Sequence, residues 1–356
     1  MGFPKKLYIV AAKRTAFGAF NGKVAHLTAS ELGGIASKAA IADLPAGVPI
    51  DVVNYGNVLQ TSKDAAYLSR HIGLRAGLPI HVPANTINRL CGSGFQSIVN
   101  CAQDILTGDA EIGLAGGTEN MSQAPYILRG IRTGLVTVLT SHWRTHWLTD
   151  SLISTQSQPQ WSQQRWAEAQ KKGHFKAEIV PIELKSKKGV ESFEVDEHPR
   201  PQTTLKTGTV TAGNASGISD GAASLVIASE DAVKKYNLNH FPKFSLGNLL
   251  VATQASWVSD LSQHPGCFEA CRTWIEGYVS RRSQRGLCFP VLGCRKELGL
   301  NREISNSNGG AIALGHPLGA SGARIMTHLS HELHRVGGKY AVGSACIGGG
   351  QGMPCY

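Results

Sequence analysis

Residues 86–100 read Thr-Ile-Asn-Arg-Leu-Cys-Gly-Ser-Gly-Phe-Gln-Ser-Ile-Val-Asn, and the way this run divides decides the fold. Thr86–Leu90 predicts a β-strand that runs straight into Cys91-Gly92-Ser93-Gly94. Phe95, Ile98, Val99, Ala102, Ile105 and Leu106 then recur at helical spacing, so the glycine turn joins a strand to an amphipathic helix. Strand, tight turn and helix in that order form the repeating unit of an α/β layer fold.

The same alternation extends outward. Leu7–Ala12 predicts a first strand, Ser30–Ala42 a helix with Ser30 as its N-cap, Asp51–Leu59 a second strand, and Ala110–Ala115 a further strand ending at Gly116-Gly117. In the C-terminal part a Gly-rich turn, Gly315–Gly319, feeds a helix with Ile325, Leu329 and Leu333 on one face. The strand Tyr340–Ser344 follows and ends at Cys346-Ile347-Gly348-Gly349-Gly350. Two halves with one turn–helix–strand–glycine order predict a duplicated domain. Met121–Lys206 is polar and irregular and predicts an inserted loop domain. The expected division is 1–120 with 207–239, a loop domain at 121–206, and 240–356 as the second half. Two blocks, 135–160 and 244–295, carry little usable periodicity and are atypical.

At 356 residues the chain can bury one or two cores of ordinary domain size. Its 42% hydrophobic and 17% charged residues exclude a disordered chain, and no apolar run approaches the roughly 20 residues that span a bilayer. The net charge of +10 favours a polyanionic partner. Nucleic acid is disfavoured, because the chain has no aromatic ribonucleoprotein motif, zinc finger or sustained basic stripe. A phosphate-bearing small molecule fits the charge equally well. The eight cysteines follow no secretory signal and are expected as reduced thiols. The first 30 residues carry Lys5, Lys6, Lys13, Arg14 and Lys23 and no acid, a pattern of mitochondrial targeting. It overlaps the predicted first strand, and both readings hold if the segment is not removed.

Cys91 is the sharpest candidate for chemistry. A thiol at a helix N-terminus has its thiolate stabilised by the helix dipole and unpaired N–H groups, and neighbouring glycines let a carbonyl approach the backbone. The competing reading is a buried structural cysteine. His316, in Gly315-His316-Pro317 before a helix start, could draw off a thiol proton, although an isolated histidine is more often an ordinary core or surface residue. Cys346, opening a triple glycine, is a second thiol candidate. The spacings of Cys267, Cys271, Cys288 and Cys294 fit no tetrahedral zinc pattern, and no Lys-Ser/Thr follows Gly348–Gly352 to complete a phosphate loop. No metal is expected.

Several runs together resemble the thiolase family, in its β-oxidation branch. They are Tyr8–Phe17 (YIVAAKRTAF), Thr86–Asn100, Gly116–Tyr126 (GGTENMSQAPY), Asp196–Thr204 (DEHPRPQTT), Gly208–Asp220 (GTVTAGNASGISD), Asn308–Gly322 (NGGAIALGHPLGASG) and Gly338–Gly352. The resemblance implies duplicated α/β domains in a layered αβαβα arrangement. It implies cleavage of a 3-ketoacyl-CoA by CoA to acetyl-CoA and a shortened acyl-CoA, with coenzyme A a substrate and no permanently bound cofactor. Cys91 would be acylated, His316 would activate it, and Cys346 would move the proton of the acetyl-CoA enolate and of CoA. The backbone N–H groups of Cys91 and Gly348 would form an oxyanion hole, and Arg200, Thr203 and Ser216 would contact CoA. A homodimer or homotetramer in the mitochondrial matrix, with an uncleaved signal, is also implied.

One departure stands out. The family carries Asn-Glu-Ala-Phe ahead of its Gly-His-Pro motif, the Asn holding a water in the enolate hole, and no such motif occurs here. Arg282–Cys294 (RSQRGLCFPVLGC), back-translated with permitted codons and read one nucleotide later, gives EVNEAFASQFLAV. Cys267–Tyr278 and Trp143–Trp147 give family-like runs under similar shifts, which favours a disrupted frame over true divergence. Stretches present in the family are also lacking after Gln156–Gln160 and after Leu205, and the chain stops at Tyr356 before an expected core strand. The expectation from these losses is little or no thiolytic activity. The alternative function is a non-catalytic CoA-binding protein of the same family.

Overall fold

The computed structural model describes residues 6–126, 158–186, 189–202, 216–241, 280–283, 306–338, 341–345 and 347–348. The first half runs β1 (Leu7–Thr15), β2 (Gly18–Ala19), α1 (Ala29–Ala42), β3 (Val52–Gly56), α2 (Leu68–Arg75), β4 (Ala84–Ile87), α3 (Ser93–Thr107) and β5 (Ile112–Asn120). It continues with α4 (Gln158–Lys171), β6 (Ile179–Val180), β7 (Ile182–Ser186), β8 (Gly189–Phe193), β9 (Ser219–Ser229) and α5 (Glu230–Lys235). The second half contributes β10 (Ser280–Ser283), α6 (Ala311–Leu314), α7 (Ser321–Val336) and β11 (Ala341–Ser344).

Seven strands form the main sheet, in the order β4-β3-β5-β9-β1-β6 with β2 also on β9. β9 is antiparallel to both neighbours, with Ile112 opposite Ala228 and Leu7 opposite Ser229. Every residue of β9 is buried, because helices cover both faces of the sheet. On one face Val226 and Ala228 pack with Ala29 and Ala40 of α1 and Leu68 and Ile72 of α2. On the other, Leu225 and Ile227 pack with Ile98, Cys101 and Ile105 of α3 and Ala323 of α7. Each Val, Leu or Ile among these taken fully from water contributes about 1.5–3 kcal/mol, and each alanine methyl about 0.8 kcal/mol.

Beyond α3 and α7 lies a further layer. Ile325 and Leu329 of α7 join Phe95, Ala345 and Ile347 in a separate apolar cluster beside β11. β10 and β11 pair in parallel there, Ser280 opposite Ala341. Gly343 allows the close approach, since a Cβ on it would stand 2.4 Å from Ile325 Cγ2. The described residues therefore stack as helix, sheet, helix, sheet, the layered α/β arrangement expected.

Two local expectations are corrected. Thr28, not Ser30, caps α1: its hydroxyl accepts from the Glu31 N–H while the Glu31 carboxylate accepts from the Thr28 N–H, a reciprocal capping box. Ser30 lies inside the helix and donates instead to Asp64 at 2.6 Å. Gly116 and Gly117 do not end a strand; β5 runs through them to Asn120. Their missing side chains serve packing, because a Cβ on Gly116 would meet the Tyr55 ring at 2.3 Å and one on Gly117 the Gly319 carbonyl oxygen at 2.0 Å.

The segment read as irregular from Met121 to Lys206 contains α4 and the β7–β8 hairpin, which pairs Ile182 with Phe193. It is fastened to β1 by Arg14, which is entirely buried. The Arg14 guanidinium donates to Glu178 Oε1 at 2.8 Å and, through its two terminal nitrogens, to both Asp196 oxygens at 2.7 and 3.0 Å. Of the two atypical blocks, Gln158–Gln160 lies in α4 and Ser280–Ser283 forms β10, and their other residues lie outside those described.

Candidate active site

The strand before Cys91 ends earlier than its sequence suggests. β4 stops at Ile87, and Asn88-Arg89-Leu90 form a tight turn ahead of the nucleophile candidate. Leu90 has φ +50°, a left-handed backbone that costs a side-chain-bearing residue about 1–2 kcal/mol. Local hydrogen bonds hold it there. The Leu90 N–H donates to Asn88 Oδ1 at 3.1 Å, the Arg89 N–H to Ser93 Oγ at 2.8 Å, and the Ser93 hydroxyl to the Leu90 carbonyl at 2.6 Å. Cys91 emerges from this ring one residue before the N-cap of α3, Gly92, and is half-buried.

A second thiol ten residues on provides a contrast. Cys101 points into the core between α3 and the sheet, and burial pushes its thiol up to about 12 against the opposing Asn54 hydrogen bond. Cys101 is thus a buried structural cysteine, whereas Cys91 is only half-buried.

Gly92 and Gly94 fix what lies around Cys91. A Cβ at Gly92 would stand 2.6 Å from Ile347 Cδ1, and one at Gly348 would stand 3.1 Å from Leu90 Cδ1. The turn after β11 is thus seated on the Cys91 turn, with Gly348 exposed. A Cβ at Gly94 would fall 2.8 Å from the Gly319 oxygen and 2.6 Å from the Ala323 nitrogen, and one at Gly322 2.4 Å from the Phe95 nitrogen. The first turns of α3 and α7 therefore meet backbone against backbone, which only glycine permits.

That contact brings in His316, three residues ahead of Gly319. Its backbone N–H donates to the Gly217 carbonyl at 3.2 Å, placing Ser216 in the same neighbourhood. Its Nδ1 lies 2.6 Å from Ser321 Oγ, whose hydroxyl donates to the Pro317 carbonyl at 2.8 Å. A Ser321 hydroxyl that donates to Pro317 is matched by an imidazole with Nδ1–H donating to Ser321 Oγ, the tautomer that leaves Nε2 as the basic nitrogen.

Arg200 is exposed and its backbone N–H donates at 2.8 Å to Gln163 Oε1. The Gln163 amide in turn donates to the Ile312 carbonyl of α6, which ties the Arg200 segment to the helix preceding His316. Thr203 and Cys346 lie outside the described residues. No group of three or more His, Cys, Asp or Glu suited to a metal occurs among the described residues.

Three residues escaped the sequence reading. Ser321 sets the His316 ring, and Asn57 and Glu119 meet behind it. Glu119 is buried on β5, and its carboxylate accepts from the N–H groups of Val58, Leu59 and Gly319 and from the Asn57 amide. The signal available was the acid in Gly116-Gly117-Thr118-Glu119-Asn120, a charge inside an otherwise strand-like run.

A strained cysteine turn at a helix start, packed on a histidine turn at a second helix start, suits nucleophilic acyl transfer. The comparisons agree. The model described as thiolase, N-terminal domain matches residues 7–159 and 145–231, and that of the thiolase C-terminal domain matches 287–355. The chain is 45% identical over 392 aligned residues to human mitochondrial 3-ketoacyl-CoA thiolase, covering 99% of this chain and 98% of that one. The crystal structure of the human mitochondrial 3-ketoacyl-CoA thiolase superposes with a TM-score of 0.87 at 44% identity, over 99% of this chain and 98% of that one. The human enzyme in complex with CoA gives 0.85 at 44% identity, covering 99% and 97%. The chain belongs to the thiolase family.

Proposed function

We propose that this chain is a 3-ketoacyl-CoA thiolase of fatty-acid β-oxidation, with Cys91 as nucleophile and His316 as its base. The observation that carries the reading is the meeting of the Cys91 and His316 turns through Gly94, Gly319 and Gly322, in a chain 45% identical to the human mitochondrial enzyme. Nothing in the comparisons supports the non-catalytic alternative.

In this reading His316 takes the Cys91 proton and the sulfur bonds to C3 of the 3-ketoacyl-CoA. The C2–C3 bond then breaks, leaving an acyl-Cys91 thioester and the acetyl-CoA enolate, which takes a proton from Cys346. A CoA thiol, deprotonated by Cys346, attacks the thioester; Cys91 departs and recovers its proton from His316. The Cys91 and Gly348 N–H groups hold the oxyanion, and the exposed position of Gly348 at the Cys91 turn supports that role. Arg200, Thr203 and Ser216 bind CoA, the guanidinium matching its phosphates.

The chain division of 1–120 with 207–239, 121–206 and 240–356 belongs to the same reading, and the pairing of β9 between β1 and β5 supports its first part. So do a mitochondrial matrix location, which the names of the relatives support, and a homodimer or homotetramer. The test is exchange of labelled CoA into acetyl-CoA, the half-reaction that needs only acylation of Cys91, by the purified chain and by Cys91→Ala and His316→Ala. Folded protein that exchanges CoA at a rate unchanged by Cys91→Ala would sink the assignment.

A further inference from the structure

Glu119 is a buried acid that the reaction outlined above does not use. It stands one residue before the end of β5, fully enclosed. Its Oε1 accepts from the Asn57 amide at 3.1 Å and the Leu59 N–H at 3.0 Å. Its Oε2 accepts from the Val58 N–H at 3.1 Å and the Gly319 N–H at 2.9 Å. The donors come from two separate segments, the loop after β3 and the turn between His316 and α7. Four donors fill the four lone-pair positions of an ionised carboxylate, and a proton on either oxygen would face an N–H group. The shell is built for the anion.

What this anion holds is the His316 turn. Gly319 has no room to shift, since a Cβ on it would lie 2.6 Å from the Thr118 oxygen and 2.9 Å from both Asn57 Cα and the Gly56 oxygen. The His316 N–H, the Pro317 carbonyl and Ser321 hold the turn on its other sides, and the Glu119–Gly319 hydrogen bond ties it to β5 beside the Gly117–Gly319 backbone contact.

We propose that Glu119 is a positioning residue for the thiolase reaction, its ionised carboxylate fixing the 57–59 loop and the His316 turn so that His316 meets Cys91. This rests on the reading of Cys91 as nucleophile and His316 as base. Burial pushes the Glu119 carboxyl up to about 7, against the N–H donors of Leu59, Gly319 and Val58 and the charge of His316. His316 is the titratable group facing it from the turn; the loop presents only Asn57, Val58 and Leu59, and the start of α7 presents Ser321. The positioning is therefore lost as pH falls through about 7.

Glu119→Gln tests this, because it keeps size while turning one acceptor oxygen into a donor facing two donors. The readout is the rate of Cys91 alkylation by iodoacetamide across the pH range around 7, which does not depend on turnover, with melting temperature and the His316→Ala variant alongside. The expected result is a folded E119Q alkylated about 10²-fold more slowly, the size of loss that a small misplacement produces, with the fall through pH 7 abolished. Alkylation of E119Q at the parent rate and with the parent pH profile, while His316→Ala slows it, overturns the proposal and leaves the base assignment standing. If neither variant slows alkylation, the base assignment fails and the proposal with it. Should E119Q not fold, Asn57→Ala removes one donor to the anion and must move the fall to higher pH; an unmoved profile overturns the proposal.

Discussion

His316 Nδ1 lies 2.6 Å from Ser321 Oγ, and that hydroxyl donates a hydrogen bond to the Pro317 carbonyl at 2.8 Å. One serine thereby holds the His316 ring, the base of the proposed reaction, in place. Ser321→Ala leaves Nδ1 without this acceptor and releases the ring. The expected loss in kcat is about 10-fold, a part of the roughly 10²–10⁴ that a positioned acid–base group contributes, with KM little changed. Steady-state thiolysis checks it, and a change confined to KM would contradict the orienting role.

The two thiols of α3 and its leading turn should separate chemically. Iodoacetamide on the folded protein is expected to label Cys91 and to spare Cys101, which is buried with its thiol pushed up to about 12. Peptide mapping of the labelled protein, before and after denaturation, reads the difference directly.

Gly117 faces backbone, not a side chain that can move aside. A Cβ there would stand 2.0 Å from the Gly319 oxygen and 2.9 Å from its carbonyl carbon. Gly117→Ala is expected to cost about 1–3 kcal/mol, the usual penalty of overpacking, and to reduce activity by displacing the His316 turn. Gly47, unlike Gly117, has positive φ and open space around it, so Gly47→Ala shows the cost of backbone strain without overpacking. Urea midpoints of the two variants separate the effects.

The Arg14 network makes an acid-sensitive joint between β1 and the inserted segment. Burial pushes the Glu178 carboxyl up, but the charges of His328 and Arg14 and the His328 hydrogen bond together hold it well below the usual carboxylate range. A depressed carboxyl contributes stability that is fully present above its unfolded value, near 4.5, and is lost as pH falls below that toward the folded value. Stability is therefore expected to decline below about pH 4.5, and less steeply in Glu178→Gln. Arg14→Ala, which strands two buried carboxylates, is expected to cost about 3–5 kcal/mol at neutral pH. Denaturation monitored across pH tests both.

The missing Asn-Glu-Ala-Phe motif predicts an uneven defect. In the proposed mechanism an enolate-hole donor acts while the C2–C3 bond breaks, whereas transfer of an acetyl group between CoA and Cys91 uses the other oxyanion site. Exchange of labelled CoA into acetyl-CoA is expected to persist, while acetoacetyl-CoA cleavage falls about 10²–10³-fold below that of an intact relative. Cleavage at an ordinary enzymatic rate would contradict this.

Much of this was legible in the sequence, because periodicity speaks directly about burial. The spacing of Phe95, Ile98, Ala102 and Ile105 gave α3, and the apolar run from Leu7 gave β1. The glycines were harder. Gly116 and Gly117 resemble a strand end, and only the approach of Tyr55 and Gly319 explains why they sit inside β5. Ser30 and Thr28 are both good caps, and the reciprocal bond to Glu31 decides between them. Glu119 and Ser321 act through partners about 60 and 200 residues away or through one hydroxyl, relations that local pattern does not encode.

The central claim is that Cys91 becomes acylated. Purified chain incubated with acetyl-CoA, quenched in acid and digested, should carry an acetyl thioester on the peptide containing Cys91, removed by added CoA and absent in Cys91→Ala. Folded protein that binds CoA yet shows no acetyl group on Cys91, or whose acetyl incorporation is undiminished in Cys91→Ala, would contradict the account.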